Sequence, residues 1–297
     1  MTNATNYNQY LQNIMNTFQC ELEEITSFEP LFGGLTNHSY TFEVDKQKYV
    51  YREPGLDTDA YINRESEFYA QTKAKELGLD NSLVFMNQQE GWKISHFIED
   101  ARYFDYRNAH DVSVVLSKVK YLHEQNIQGP WEFDLWNKTL DFERQIGDVG
   151  RKHFEDYDDI RERVALVYER VSQEGYPKTL CHNDIYTTNI LFQGETFYLI
   201  DWEFAMVADP AVDLATFIVC SPYNFEEIIQ VLHAYAGGTM AEKDLRHFIG
   251  YFAVTGFYWM NWAIFQENNG TDVGDFFENY YKYTKLFLEQ SEAYEAR

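Results

Sequence analysis

The segment 180–192, LCHNDIYTTNILF, breaks two apolar shoulders with His182, Asn183, Asp184 and Asn189. Its order, H-x-D-x-x-x-x-N, sets an aspartate and an asparagine five residues apart. An aspartate held in such a loop can accept or orient the proton of an attacking hydroxyl. The side-chain carbonyl of asparagine is an oxygen donor of the kind that hard divalent cations take. A second run, 197–204, FYLIDWEF, ends an apolar strand on Asp201, followed by Glu203. An acid there is the expected partner ligand of a magnesium ion that bridges phosphate oxygens and neutralises developing charge. The chemistry these residues could do together is phosphoryl transfer to a hydroxyl, with Asp184, Asn189 and Asp201 as the catalytic set. Two ordinary turns with polar tips would explain either run alone, but not their joint spacing. A zinc site from Cys181, His182 and Asp184 is the rival. Adjacent residues of an extended chain point to opposite sides, and no fourth ligand is placed.

The spacing is that of a kinase catalytic loop, so a nucleotide-binding element is expected elsewhere. Gly33-Gly34-Leu35-Thr36-Asn37 lies between two candidate strands. Its glycines let backbone approach phosphates closely, and Thr36, Asn37 and Ser39 add donors. A plain turn is the simpler reading of two glycines taken alone, and the G-K-[ST] of a Walker loop is absent. The required cation is Arg52, in YVYREPG, whose rigid fork of donors suits phosphate. Glu67, in NRESEFYA, is the expected ion-pair partner of Arg52, with Glu65 as the competing choice.

These residues need elements to position them. ITSFEPLF (25–32), SYTFEV (39–44) and KYVYRE (48–53) read as strands, the last two joined by a polar DKQK turn. Residues 57–78 read as a helix with Asp57, Thr58 and Asp59 as cap candidates and Gly78 at its end. SLVFM (82–86) and WKISHFI (92–98) form another hairpin pattern. Residues 110–126 carry Val112, Val115, Leu116, Val119 and Leu122 at helical spacing. Further helices are expected around 155–174, 211–219, 224–236, 241–267 and 274–292. The pattern changes near Phe97–Ala101. The expected architecture is therefore α+β, a strand-rich nucleotide-binding lobe over 1–98 and a mainly helical catalytic and acceptor-binding lobe over 99–297. A cleft between lobes is the default ligand site.

Composition bounds the partners. The chain has 297 residues and a formal net charge of −24. That charge argues against nucleic acid and anionic membrane surfaces, which need a basic patch, and suits a cationic ligand. Its simplest meaning is a solubilising surface. Cys20, Cys181 and Cys220 are sparse and lack C-x-x-C spacing, as expected of a reducing compartment. The polar N-terminus has no apolar signal core, and no apolar run reaches membrane-spanning length. A cytoplasmic location is expected. Aromatic residues make up 18% of the chain, so most of them must be core.

With these segments assembled, the chain resembles the choline/ethanolamine kinases, most closely the LicA-like bacterial choline kinases, within the aminoglycoside-phosphotransferase and protein-kinase-like superfamily. The matching segments are GGLTNHSY, KYVYREPG, YINRESEFYA, CHNDIYTTNILF, YLIDWEFA, DPAVDLATF and FYWMNWAIFQE. The resemblance implies a two-lobed protein-kinase-like fold, ATP and Mg2+ as cofactors, and choline as acceptor. Ethanolamine, thiamine or an aminoglycoside are the alternatives within the class, and a nucleotide- or amine-binding pseudoenzyme is the alternative outside it. By resemblance Asp184 is the base, Asn189, Asp201 and Glu203 are metal-side groups, and Asp213 is a buried brace of the catalytic loop. Gly33, Gly34, Thr36, Asn37, Ser39, Arg52, Glu67 and Phe97 fall on the nucleotide side. Glu203, Phe204, Tyr223, Trp259 and Trp262 fall on the acceptor side. The two tryptophans are three residues apart, hence on one helix face, and aromatic faces attract quaternary ammonium. Core packing is their other reading. Phe204 stands where the family often has tyrosine, and Cys220 where a choline-coordinating glutamate is usual. Glu226 or Glu227 are the other acids available.

Overall fold

Helical and strand periodicities alternate along the first hundred residues. The structure, a computed structural model, describes residues 4–32, 37–55, 58 and 61–296. It opens on a helix, α1 (Ala4–Phe18), then strands β1 (Thr26–Leu31), β2 (His38–Val44) and β3 (Gln47–Glu53). Helix α2 (Arg64–Glu76) and strands β4 (Leu83–Met86) and β5 (Lys93–His96) follow. The five strands form one antiparallel sheet in the order β1-β2-β3-β5-β4. The polar turn of the β2–β3 hairpin places Asp45 and Lys46 at positive φ, as a tight hairpin turn requires.

Alternation along β3 sends Tyr49 and Tyr51 to one face and Val50 and Arg52 to the other. On the first face Tyr40, Phe42, Tyr49, Tyr51, Trp92 and Ile94 pack with Tyr10 and Ile14 of α1. Asn13 of α1 donates its amide to the Tyr51 hydroxyl at 2.9 Å. The sequence reading of strands plus one helix is thus corrected: α1 covers the sheet with Tyr7, Tyr10, Ile14 and Phe18 at helical spacing. The expected helix over 57–78 is shorter, and its cap is Asn63, which accepts the Ser66 N–H at 3.0 Å. Asp57 and Asp59 lie outside the described residues. Thr58 is buried, donating to the Gly55 carbonyl and accepting from Arg64.

A two-residue strand, β6 (Arg102–Tyr103), precedes α3 (Ala109–Glu124), α4 (Leu135–Arg151) and α5 (Tyr157–Ser172). Helix α4 has no counterpart among the expected elements. It buries Leu135, Thr139, Phe142, Glu143, Ile146 and Gly150 at helical spacing, but Gly147 turns non-helical inside it, which interrupts the pattern. Strands β7 (Thr179–Cys181), β8 (Ile190–Gln193), β9 (Thr196–Leu199) and β10 (Met206–Ala208) then frame the two motif runs. The chain ends in α6 (Pro210–Val219), α7 (Phe225–Ala236), α8 (Glu242–Asn268) and α9 (Phe276–Glu295). Helix α8 is buried almost all round, from Leu245 to Gln266, as a central core helix must be. Its Gly256 lies against Thr284 of α9 so closely that a Cβ there would sit 2.8 Å from the threonine hydroxyl. Among the described residues no helix is long and apolar enough to cross a membrane.

The chain divides into two compact units. One holds the residues up to Arg102 together with 191–203, and the other holds 103–190 and the chain from Phe204 onward. The return of 191–203 to the first unit is absent from a division at residue 98. It rests on long-range contacts, such as the Leu199 N–H donated to the Leu79 carbonyl at 2.9 Å, which local periodicity does not encode.

Candidate active site

In the second unit β7 pairs antiparallel with β10, Cys181 opposite Met206, and the chain then turns out of the ladder at His182. Asn183 takes a φ of 63°, which a non-glycine residue adopts only where its surroundings hold it. The holding group is Asp213. Its carboxylate is fully buried and accepts the backbone N–H of His182 at 3.0 Å and of Asn183 at 2.5 Å. Helix α6 delivers that carboxylate in its first turn, capped by Asp209 with Pro210 at the first helical position. That placement is favoured by the positive end of the helix dipole. The Asp184 N–H is donated to His182 Nδ1 at 3.2 Å, so three consecutive loop N–H groups are engaged. Asn189 donates its Nδ2 to the Asp184 carbonyl at 2.9 Å and to Asp184 Oδ2 at 2.8 Å. With its nitrogen turned to Asp184, the side-chain oxygen of Asn189 is the end that can meet a cation. The structure therefore brings Asp184 and Asn189 together.

In the first unit the polar face of the sheet collects the other charged residues. Ser39, Arg52 and Lys93 are cross-strand neighbours on β2, β3 and β5. Two cations directly opposite each other repel, and acids resolve the conflict. Arg52 pairs with Asp201 and Glu203. Lys93 pairs with Glu67 at 2.9 Å and reaches Asp201 at 3.8 Å. Glu67 also takes Arg64 at 3.1 Å. The expected Arg52–Glu67 pair is corrected accordingly: Glu67 is buried beside the cluster, but its ion-pair partners are Lys93 and Arg64. Asn37 donates to both Glu203 oxygens at 3.2 and 3.4 Å and accepts the Gly55 N–H. The acids stand where they do because Trp202 between them is fully buried and donates its indole N–H to the Leu199 carbonyl at 2.7 Å. Asp201 itself takes a φ of 69°. Burial raises the Glu203 carboxyl to about 7. Arg52 opposes the rise, and Asp201 adds to it. Burial also acts to raise the Glu67 carboxyl, but Lys93 and Arg52 outweigh it and hold the group below its ordinary value. Carboxylate oxygens of Glu67, Asp201 and Glu203 lie within 4.8 Å of one another, an all-oxygen set of the type magnesium takes. Phe97 lies apart, past the far end of β5, with Lys48 over its ring at 4.3 Å. Gly33, Gly34 and Thr36 lie outside the described residues.

Lys93 is the residue that sequence reasoning missed. The signal was present, since Trp92 and Ile94 alternate around it. Recognising it requires the β3–β5 register, which sets Lys93 opposite Arg52.

The aromatic set lies in the second unit. Trp259 and Trp262 share a face of α8, with ring centroids 5.5 Å apart and planes at 83°. Phe204 meets Trp259 edge-on at 5.6 Å, and Tyr280 of α9 stacks on Trp259 at 6.2 Å. The Trp259 N–H is donated to the Thr216 hydroxyl at 3.3 Å. The indole nitrogen of Trp262 is buried without a hydrogen-bond partner. Cys220 lies 3.8 Å from the Tyr280 hydroxyl. Burial, reinforced by the Asp184 charge, pushes its thiol up to about 12, so this position is neutral at physiological pH. Tyr223 is buried and donates to the Tyr106 carbonyl at 2.7 Å. Glu227 is committed to the Asn224 cap and to Arg107, and Glu226 is exposed.

Known proteins are similar to this chain. The protein LicA of Haemophilus influenzae is 23% identical over 258 residues, which cover 82% of this chain and 75% of LicA. The crystal structure of choline kinase LicA from Streptococcus pneumoniae superposes with a TM-score of 0.80 at 24% identity, over 95% of this chain and 99% of that one. A structure of LicA in complex with AMP gives 0.79 at 24% identity over 95% and 98%. At that identity the likeness establishes the fold, which is protein-kinase-like. The sequence model of the phosphotransferase enzyme family matches residues 27–246, a span that includes the Asp184–Asn189 loop, the Arg52–Asp201–Glu203 cluster and the Asp213 brace, and by that match the chain belongs to the phosphotransferase enzyme family.

Proposed function

We propose that the protein transfers the γ-phosphoryl group of ATP to the hydroxyl of choline, giving phosphocholine, with Mg2+ as cofactor and in the cytoplasm. The observation that carries the choline reading is the aromatic set of α8 and α9, in the same unit as the Asp184–Asn189 pair. A quaternary ammonium has no N–H to donate and is attracted to aromatic faces. The similarity to choline kinase LicA and to the AMP complex of LicA supports the same reading for acceptor and nucleotide. Asp184 orients the choline hydroxyl and takes its proton. Trp259, Trp262, Phe204 and Tyr223 define the acceptor side. Asn189, Asp201 and Glu203 are the oxygen donors for magnesium, which when bound neutralises phosphate charge. Arg52, Asn37, Ser39, Gly33, Gly34 and Thr36 serve the phosphates, Glu67 holds the charge cluster in place, and Phe97 serves the nucleotide base. Residues 1–98 then form the nucleotide-binding lobe and 99–297 the catalytic and acceptor lobe, with 191–203 contributed to the first.

Purified protein assayed with ATP and Mg2+ against choline, ethanolamine, thiamine and an aminoglycoside tests the proposal. Transfer to choline is expected. Transfer only to another acceptor rejects choline and keeps the kinase chemistry. ATP binding without transfer to any acceptor favours a pseudoenzyme.

Two variants sharpen the test. A desolvated cation–π contact contributes about 2 kcal/mol, so Trp262→Ala should raise the choline KM at least about tenfold. Trp262→Phe should lose less, and ATP affinity should hardly change. A core role predicts instead a large drop in melting temperature with no selective effect on choline. Arg52→Lys should retain more ATP affinity than Arg52→Ala, because a point charge replaces part of the fork. ATP titrations of the two variants that match the parent would remove Arg52 from the nucleotide site.

A further inference from the structure

We propose that Cys220 is a specificity-determining residue: a small neutral group on the acceptor side, it makes the site select fully N-methylated amino alcohols over primary ones. The inference deepens the choline reading of this site and rests on it. Cys220 ends α6. Its Sγ lies 3.8 Å from the Tyr280 hydroxyl, and the Tyr280 ring stacks on Trp259. Phe276, one turn earlier on α9, stacks on Tyr280 at 5.5 Å and meets Tyr186 edge-on at 6.3 Å. Tyr186 is two residues past Asp184. One run of aromatic rings thus leads from the tryptophans to the catalytic loop, with Cys220 beside it.

The polar groups of this run are neutral. Burial holds the Tyr280 phenol well above its ordinary value, and Cys220 and Asp184 add to the rise. The charge that acts on the Cys220 thiol is that of Asp184. Tyr106 is 8% exposed, and its hydroxyl has Cys220 and Thr187 close by but makes no hydrogen bond of ordinary geometry. A buried, unsatisfied hydroxyl beside the thiol points to a ligand that brings a hydroxyl of its own. Arg107 and Glu227, the larger charges acting on Tyr223, pair with each other at 2.8 Å.

Two kinds of ammonium fare differently in such surroundings. A primary ammonium brings three N–H donors, and each one buried without an acceptor is costly. A quaternary ammonium brings none, and aromatic faces attract it. Rings, a thiol and phenols offer few acceptors, so the discrimination turns on the group at position 220. A carboxylate there would receive N–H groups that the thiol leaves unpaired.

The test compares ethanolamine, its N-methyl and N,N-dimethyl derivatives and choline as acceptors, for the full chain and for Cys220→Asp, Cys220→Glu and Cys220→Ala. In the parent kcat/KM should rise with each methyl group, by at least about 100-fold over the series, as the burial of two or more unpaired donors requires. Cys220→Asp or Cys220→Glu should narrow the choline-to-ethanolamine ratio at least about tenfold, the range of one hydrogen bond to a charged group. Cys220→Ala should leave that ratio within about threefold, because it removes a small, weakly polar group and adds no acceptor. A flat series in the parent overturns the proposal and needs no variant to fold. An unchanged ratio in folded Cys220→Asp and Cys220→Glu also overturns it, and so does Cys220→Ala narrowing the ratio as much as they do. If the parent phosphorylates none of these acceptors, the choline reading fails. Tetramethylammonium raising the melting temperature more than equimolar methylammonium would then still support the selectivity, and equal shifts would reject it.

Discussion

Asp184→Asn should lower kcat by about 10²–10⁴-fold, the range that a positioned acid–base group contributes, and leave ATP binding and melting temperature near the parent. The substitution is nearly isosteric. The side-chain oxygen of an asparagine can still accept from Asn189, whose Nδ2 now bonds Asp184 Oδ2 at 2.8 Å. The backbone is held independently of the side chain, through the Asp184 N–H donated to His182 and the Asn189 bond to the Asp184 carbonyl. What disappears is the basicity of the carboxylate. The cation proposed for the phosphates, Arg52, sits on β3 in the first unit, so ATP affinity measured by calorimetry should hardly change. Steady-state rates close to the parent would remove Asp184 from the chemistry. A parallel fall in melting temperature and ATP affinity would make it a structural residue.

Much of the loop was legible from spacing alone, because the residues that meet are close in sequence. Asp184 and Asn189 are five apart, and a single 3-10 turn over Thr187–Asn189 brings them together. The acids of the second run were legible for the same reason, with Trp202 between them as the buried anchor. What sequence could not supply was pairing across the sheet. Arg52 was identified as a cation with an acidic partner, but the choice between Glu67, Asp201 and Glu203 depends on which strand lies beside β3. That neighbour is β5, and it brings Lys93, which takes Glu67 and leaves Arg52 to the other two acids. His123 of α3, whose Nε2 lies 2.8 Å from Asp213 Oδ2, was hidden in the same way. It sits in a helix 90 residues from Asp213, with nothing local to mark it as more than a polar residue near a helix end.

The expected elements follow the same division. Helices with uninterrupted stripes, such as α3 and α8, were read close to their observed ends. Helix α4 was lost behind Gly147, and α1 behind a run rich in asparagine and glutamine in which Tyr7, Tyr10 and Phe18 make up much of the buried face. A tyrosine stripe reads as polar until its ring faces meet others. Tyr10 lies 5.0 Å from Tyr51 and 5.3 Å from Tyr40, which is how α1 attaches to the sheet.

Glu67→Gln should destabilise the first unit by about 3–5 kcal/mol, the usual consequence of removing one partner from a buried ion pair. Glu67 is 1% exposed, with Lys93 at 2.9 Å and Arg64 at 3.1 Å. The amide would remove the carboxylate charge that faces both cations, leaving Lys93 with Asp201 at 3.8 Å, and would set an N–H donor against one of them. Lys93→Met should be milder, because Arg64 continues to neutralise Glu67 and the methionine fills a similar volume. The double variant Glu67→Gln/Lys93→Met should lose less than the sum of the two, since each substitution removes the charge that the other leaves stranded. Denaturant midpoints of the parent, both single variants and the double variant measure this coupling. Additive losses would mean that Lys93 and Glu67 do not depend on each other, and that Arg64 alone compensates the carboxylate. Arg52 provides an internal check. Its ion pairs run to Asp201 and Glu203, so Arg52→Lys combined with Glu67→Gln should be close to additive in stability. Strong coupling there would restore the Arg52–Glu67 pair that the sequence suggested.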